Sequence, residues 1–352
     1  MTTFKKHLFT IKLLISATTV AAQSHDSLPL IRRPADFGLV YPISTNGTAA
    51  ATYSNTISIQ GLAGVSGEVT AAAVAGLANI VKGDAGGTAV AGLANVIGGR
   101  ATGTQVAGLV NRVAGEGKGA EIAGILNTSG NYSGAQVAGI ANINRGSVTG
   151  IQIAGLVNRS GEATSQIAGL LNRATRVKGV QLSGLVNIAD SSDYPIGFIN
   201  LIGNGDKSLG VLTDESLNTI AFFRSGGRVL YGIIGVGYNL GSSRHLYELE
   251  TGIGAHLLPS GQRFRLNAEA SSMTITDFSH GHAYKYALRA LGEMQLSPRI
   301  SVFAGPSANL VLDYAHGSIA SVFPHFLWTT TGKNGHPIGA YVGATGGVSL
   351  SL

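Results

Sequence analysis

The chain has 352 residues, enough for two domains, with 51 Gly, 9 Pro, no Cys and only 12% charged residues. That balance is foreign to an ordinary globular enzyme and suits Gly-rich strands and turns. A sequence without cysteine excludes a lipidated N-terminal cysteine, a disulfide frame and thiolate metal sites, and a formal charge of +6 raises the question of a nucleic-acid partner.

Lys5 and Lys6 precede an apolar stretch from Leu8 to Val20 that Lys12 interrupts, and Val20-Ala21-Ala22 stands before Gln23. This predicts a secretory signal peptide over residues 1–22, too short and too broken to span a membrane as a helix. Its removal deletes three lysines and no acid, so the formal charge falls from +6 to +3 and no nucleic-acid partner is expected. No later window of about 18 consecutive apolar residues occurs, so a membrane crossing requires a barrel. Residues 23–56 read as an N-terminal strand and cap segment: the candidate cap is Phe37–Ile43 together with Ile57–Leu62, with Tyr41-Pro42-Ile43 as strand and Asn46-Gly47 as turn.

Residues 57–205 are a tandem repeat. Gly76, Gly92, Gly108, Gly124, Gly139, Gly155, Gly169, Gly184 and Gly197 are each followed three residues later by an Asn, from Asn79 to Asn200, and the Asn spacings are 16, 16, 16, 15, 16, 14, 15 and 13. The residue two before the Gly is a large aliphatic (Val74 to Leu182), and the residue after it is Leu or Ile until Phe198. In the first eight repeats Ala, or Ser183 in one, precedes the Gly, which demands close packing. Gln105, Glu121, Gln136, Gln152, Gln166 and Gln181 hold a fixed register three before it.

A unit of this length forms either one coil of a parallel β-solenoid or one strand and turn of an antiparallel meander. Only the solenoid stacks equivalent residues, so that each Asn bonds the Asn and backbone of the next coil, and it is the expected fold. Gly115–Gly119 and Ser160-Gly161-Glu162 are water-facing turns. Arg112, Arg159 and Arg173 directly follow Asn and form a mild basic strip or, more plainly, solvated coil edges.

The unit Gln105-Val106-Ala107-Gly108-Leu109-Val110-Asn111, preceded by Tyr41-Pro42-Ile43-Ser44-Thr45-Asn46-Gly47, resembles the Gly/Asn-repeat surface proteins of Gram-negative envelopes over roughly residues 37–205. The resemblance implies exposure at the cell surface. It carries no activity and no site residue.

Residues 206–352 differ in composition. Tyr132 is the sole aromatic between residues 57 and 190, whereas residues 194–352 hold 17 of the 23 aromatics. Long strands alternate: Tyr284, Tyr286, Leu288, Ala290 and Met294 oppose Lys285, Arg289 and Glu293, while Phe264, Leu266 and Ala268 oppose Arg263, Arg265, Asn267 and Glu269. The last strand sets Ile338, Ala340, Val342, Val348 and Leu350 against Tyr341, Thr345 and Ser349. One lipophilic face and one face of mixed charge predict an outer-membrane-type antiparallel β-barrel rather than a soluble sandwich. Eight strands are expected. Ser318–Thr330 reads as a long outer loop or as further strands, which would make ten.

Several residues invite chemistry. His316 and Ser318 have the His-x-Ser arrangement of outer-membrane lipid hydrolases, with Glu248 or Glu269 as orienting acids, but a loop His beside a loop Ser is the plainer account. His280 and His282 flank Gly281 at a metal-compatible spacing with no third ligand evident. Glu248, Glu250, Arg263, Arg265, Glu269, Lys285, Arg289 and Glu293 could line a channel, but an eight-stranded interior is filled by side chains and paired charges are expected. Gly203–Ser208 has the composition of a phosphate loop without its spacing or helix.

The expected fold is all-β, a parallel β-solenoid followed by a barrel. The expected function is that of a non-enzymatic outer-membrane and cell-surface protein without a cofactor. The barrel, in outer-membrane lipid, anchors a solenoid used for adhesion to an extracellular protein or glycan, or for envelope structure. A lipid-acting barrel enzyme using His316 and Ser318, and a narrow channel, are the alternatives.

Overall fold

The computed structural model describes residues 29–243, 245–258, 263–278, 281–314, 322–323, 326–332 and 335–352. The signal-peptide expectation, His280, His316 and Ser318 fall outside them. The chain is about 73% strand and 2% helix, and forms a parallel β-solenoid of about 10 turns followed by a closed eight-stranded antiparallel barrel.

Each coil carries two short strands joined at the Gly-Leu bend. Strand Gly117–Ala123 pairs in parallel with Ala101–Ala107 on one side and Tyr132–Ala138 on the other. Leu126–Ser129 pairs likewise with Val110–Val113 and Ala141–Asn144, which puts Asn127 directly opposite Asn111 and Asn142. The stacking already includes Ile31–Val40, which runs parallel to Tyr53–Ser66.

Two glycine columns make the stack possible, for different reasons. A Cβ at Gly124 would lie 2.1 Å from the carbonyl oxygen of Gly108, so no side chain fits where consecutive bends approach. Five residues earlier, Gly103, Gly119, Gly134 and Gly150 hold φ between 96° and 134°, a region that L-residues avoid.

Inside the coils runs the asparagine ladder. Eight Nδ2 to Oδ1 bonds of 2.9–3.1 Å link Asn79 through to Asn200, each donor pointing to the following coil. Asn127 Nδ2 also reaches the carbonyls of Glu121 and Val137 at 3.2 and 2.8 Å. The other interior positions divide the array into thirds. Val81, Ile97 and Val113 pack in an aliphatic cluster at one end and Ala174, Ala189 and Ile202 at the other. Between them Ser129, Asn144 and Ser160 accept from Gln136, Gln152 and Gln166 at 3.3, 2.9 and 3.2 Å.

The barrel strands are Lys207–Asp214, Asn218–Gly226, Leu230–Asn239, Tyr247–His256, Phe264–Thr276, His282–Gln295, Ile300–Asp313 and Pro337–Ser351. The last closes on the first, with Leu350 opposite Leu209. A short strand, Trp328–Thr331, adds to Pro337–Ala340 outside the closed ring, so part of the segment left open by sequence is a strand but not a barrel stave. Alternation is as expected: Val236, Leu288, Val342 and Val348 point outward, and Glu250, Glu269, Lys285 and Arg289 point inward and are buried.

The two parts meet side-on. Asn200 donates its backbone N–H to Ser225 Oγ at 3.0 Å and its Nδ2 to the Ser225 carbonyl at 3.1 Å. A Cβ at Gly232 would sit 2.4 Å from the Gly197 carbonyl. Ser225 and Gly232 alternate outward with Phe223 and Ile234, so the last coil rests on the outer wall rather than in the mouth.

Removing one rung strands a buried donor and acceptor. Asn127→Ala is expected to lower the unfolding free energy of the repeats by about 3 kcal/mol, the cost of unsatisfied buried polar groups. Asn131, exposed and bonded at its side chain to Glu116 and to the Ser147 N–H, where water can replace it, should cost no more than about 1 kcal/mol as Ala. Urea unfolding followed by circular dichroism distinguishes them; equal effects would remove the ladder from the account of stability.

Candidate functional site

Polar or apolar side chains from separate elements converge at three places: the barrel interior, the charged rung of the solenoid, and the junction.

In the barrel, alternation sends the acids and bases of neighbouring strands to one interior. Arg224 lies 2.7 Å from Glu269, Arg289 lies 2.6 Å from Glu250 and 3.6 Å from Glu269, and Lys285 lies 2.6 Å from Asp214 and 3.3 Å from Glu215. Tyr231 donates its hydroxyl to Glu269 at 2.9 Å. The Arg224 guanidinium is held between the rings of Phe222 and Phe303, 4.3 and 4.4 Å from their centroids. Toward the other rim Leu212, Ile220, Met273, Leu291 and Val311 pack together inside. The lumen is thus occupied by paired charges and apolar side chains, as the strand count demands.

Of the residues singled out from sequence, Glu269 is engaged with Arg224 and Tyr231, so its place is in this interior network. Glu248 is buried one turn of alternation from Glu250, and its carboxyl oxygens have no hydrogen-bond donor among the described residues. His282 stacks against Tyr314 at a centroid distance of 5.4 Å near the rim opposite the solenoid. No group of three His, Asp or Glu able to hold a metal occurs among the described residues. Arg159 and Arg173 are exposed on successive coils, and Arg112 is exposed three coils earlier. Asp206 of the loop excluded as a phosphate site pairs with Arg265.

In the solenoid the glutamine column donates toward the N-terminus: Gln181 to Gln166, Gln166 to Gln152, Gln152 to Gln136, at 2.9–3.1 Å, and Gln136 to Glu121 Oε2 at 2.6 Å. Glu121 is fully buried and stacks directly on Gln105. Burial pushes its carboxyl up to about 7, against the lowering effect of the Gln136 bond. Glu121 Oε1 and Gln105 Oε1 both lack a donor among the described residues, and a protonated Glu121 supplies one. The neighbouring Tyr132 hydroxyl is raised by burial and then by the Glu121 charge. Sequence reasoning placed Glu121 in the Gln column but not its ionisation; the signal was an acid at a position that five repeats fill with a neutral amide.

At the junction an apolar groove of about 940 Å³ lies outside the barrel wall. Ile196 and Phe198 of the last coil form one side, and Ile253, Leu288, Leu310 and Val342 of the barrel wall form the other. At the rim below, Arg228 pairs with Asp193 at 2.8 Å, which holds the Asp193 carboxyl below its usual range. The groove was not legible from periodicity, since it joins residues far apart in the chain.

The Glu121 carboxyl binds its proton more tightly folded than unfolded, so the folded state holds more protons between about pH 4.5 and 7. The stability it contributes is full at the acidic end and is lost as pH rises through about 7. Glu121→Gln should therefore stabilise the repeats at pH 8 by about 2–3 kcal/mol and flatten their pH dependence. Urea midpoints at pH 5 and pH 8 check this; a wild-type chain equally stable at both would refute it.

No family model, no curated protein and no solved structure matches the chain, so its functional reading rests on its own geometry.

Proposed function

We propose that this is a non-enzymatic outer-membrane protein in which the barrel is the anchor and the solenoid a rigid arm serving envelope structure or interaction. The observation that carries this reading is the closed barrel with its two unlike faces. Outward residues Leu249, Leu288, Val342 and Val348 are half or more exposed as aliphatics, while four acids and three bases are drawn inside as ion pairs. In water such a surface is an aggregation liability, and in hydrocarbon it is the required one. A filled lumen supports anchoring over conduction.

Connection lengths support one orientation. The barrel rim next to the solenoid carries the links 227–229, 257–263 and 296–299, whereas the far rim carries 314–336, the longest connection. Outer-membrane barrels keep long loops outside and short turns in the periplasm. The solenoid is therefore assigned to the periplasmic side, which favours an envelope role over display to an external protein or glycan.

Two measurements test this. The chain should stay with the membrane pellet through alkaline carbonate extraction, and a wholly soluble periplasmic chain would sink the reading. A single cysteine at the exposed position of Lys118→Cys should react with a membrane-impermeant maleimide only after the outer membrane is permeabilised. Labelling of intact cells would instead place the arm outside and restore the adhesion reading.

A further inference from the structure

We propose that the Gly-Leu edge of the solenoid is itself a lipid-binding surface, which lays the arm flat in the membrane leaflet beside the rim from which it springs. This rests on the membrane-barrel reading and adds a second lipid contact to it.

The edge is apolar throughout its length. The residue after the repeat Gly, from Leu77 to Phe198, is 39–47% exposed in all nine repeats. Val74, Val90, Ile122, Val137, Ile153 and Leu182, two before the Gly, are 36–44% exposed beside them. Together these rows expose on the order of 1,000 Å² of aliphatic surface, well beyond the largest patch of an ordinary soluble monomer. Stacked at the spacing of paired strands, the rows run for about 40 Å.

Charge is segregated to the other edge. From four residues before the repeat Gly to three after it, Glu121 is the sole charged residue in the first eight repeats, and it faces the interior; in the ninth, Asp193 opens the window and pairs with Arg228 at the barrel rim. Lys82, Arg100, Glu116, Lys118 and Arg145 sit at the opposite turns and are exposed. Arg112, Arg159 and Arg173, four after the Gly, flank the apolar edge where long cationic side chains reach headgroups.

The junction fixes which way the edge points. The charged turn of the last coil meets the barrel rim, with Asp193 on Arg228 and the Ser192 carbonyl over Gly227. Its Gly197-Phe198 bend lies farther up the wall, against Gly232, and shares the apolar groove with Ile253 and Leu288. The aliphatic edge thus opens onto the zone of the barrel's own lipid-facing belt, and the charged edge lies at rim level. That is the arrangement of an interfacial amphipathic element, here made of β-coils in place of a helix. The row is aliphatic in its first eight members, its one aromatic, Phe198, lies at the barrel junction, and its arginines stand beside it rather than in it, a composition that favours acyl chains and headgroups over the aromatic-centred core of a protein interface.

The cysteine-free sequence permits a direct test. Ile125→Cys on the apolar edge, Lys118→Cys on the charged edge of the same coil and Leu288→Cys on the barrel wall are each labelled with a fluorophore. The full chain is reconstituted in phosphatidylcholine–phosphatidylglycerol vesicles whose acyl chains carry a nitroxide quencher. Positions 125 and 288 should be quenched at least threefold more than position 118. Quenching at 288 with none at 125 overturns this inference and leaves the barrel reading standing; no quenching at 288 removes both. Shielding of position 125 from lipid quencher and aqueous iodide alike would assign the edge to a protein partner or a second copy and overturn the lipid assignment. Ile140→Cys, one coil on, repeats the measurement should the first variant fail to fold.

Discussion

The asparagine ladder is the interaction on which the rest depends. A coil of two short strands cannot bury its own backbone, and its bend leaves carbonyls facing inward. A carboxamide at each bend satisfies carbonyls of its own and the next coil and passes a hydrogen bond to its successor, as Asn127 does to Glu121, Val137 and Asn142. Because that group must lie at the same depth in each coil, the repeat tolerates changes of length only in its outer turns, where spacings of 13 to 16 residues are absorbed. The bare Gly three residues earlier follows from the same constraint, since coils close enough for a 2.9 Å rung leave no room for a Cβ.

A ladder with one direction has two unlike ends, and the donor end must be met by something. Here it is met by the barrel: Asn200 spends its side-chain donor on the Ser225 and Gly197 carbonyls, where another coil would otherwise stand. The barrel wall acts as the terminal cap that stacked repeats require. Close approach is allowed because the two outward positions beneath the coil are Ser225 and Gly232 on a wall otherwise rich in aliphatics. Anchor and cap are one surface, so the arm's direction is set by the coil's two faces rather than by a linker. Apolar edge and lipid-facing wall, charged edge and rim, then fall at matching levels.

Much of this was written in periodicities. The Gly and Asn columns fixed a parallel stack, and the opposition of Leu288 to Arg289 and of Phe264 to Arg265 fixed a barrel with a charged interior. What escaped was of two kinds. Some signals were present but masked by a stronger one: the glycines at 103, 119, 134 and 150 follow the same period as the bends, and Ser129, Asn144 and Ser160 replace the aliphatics of that column mid-array, where they accept from Gln136, Gln152 and Gln166. Others carried no period at all. The seat of Asn200 on Ser225 joins residues 25 apart across a change of architecture, and the groove of Phe198 and Leu288 joins residues farther apart still. His316 and Ser318, on which the hydrolase alternative turns, lie outside the described residues.

The central claim is that solenoid and barrel form one body, with the ladder terminated on the barrel wall. Hydrogen exchange read by mass spectrometry, comparing the wild-type chain with Gly232→Leu, tests it most directly. A side chain at 232 cannot be accommodated beneath the Gly197 carbonyl. Amides of the last coils, residues 186–202, should exchange at least tenfold faster while those of residues 88–113 and of the far barrel strands stay protected. Unchanged protection of 186–202 in a folded variant would mean that the coils need no wall to end on, and would contradict the account.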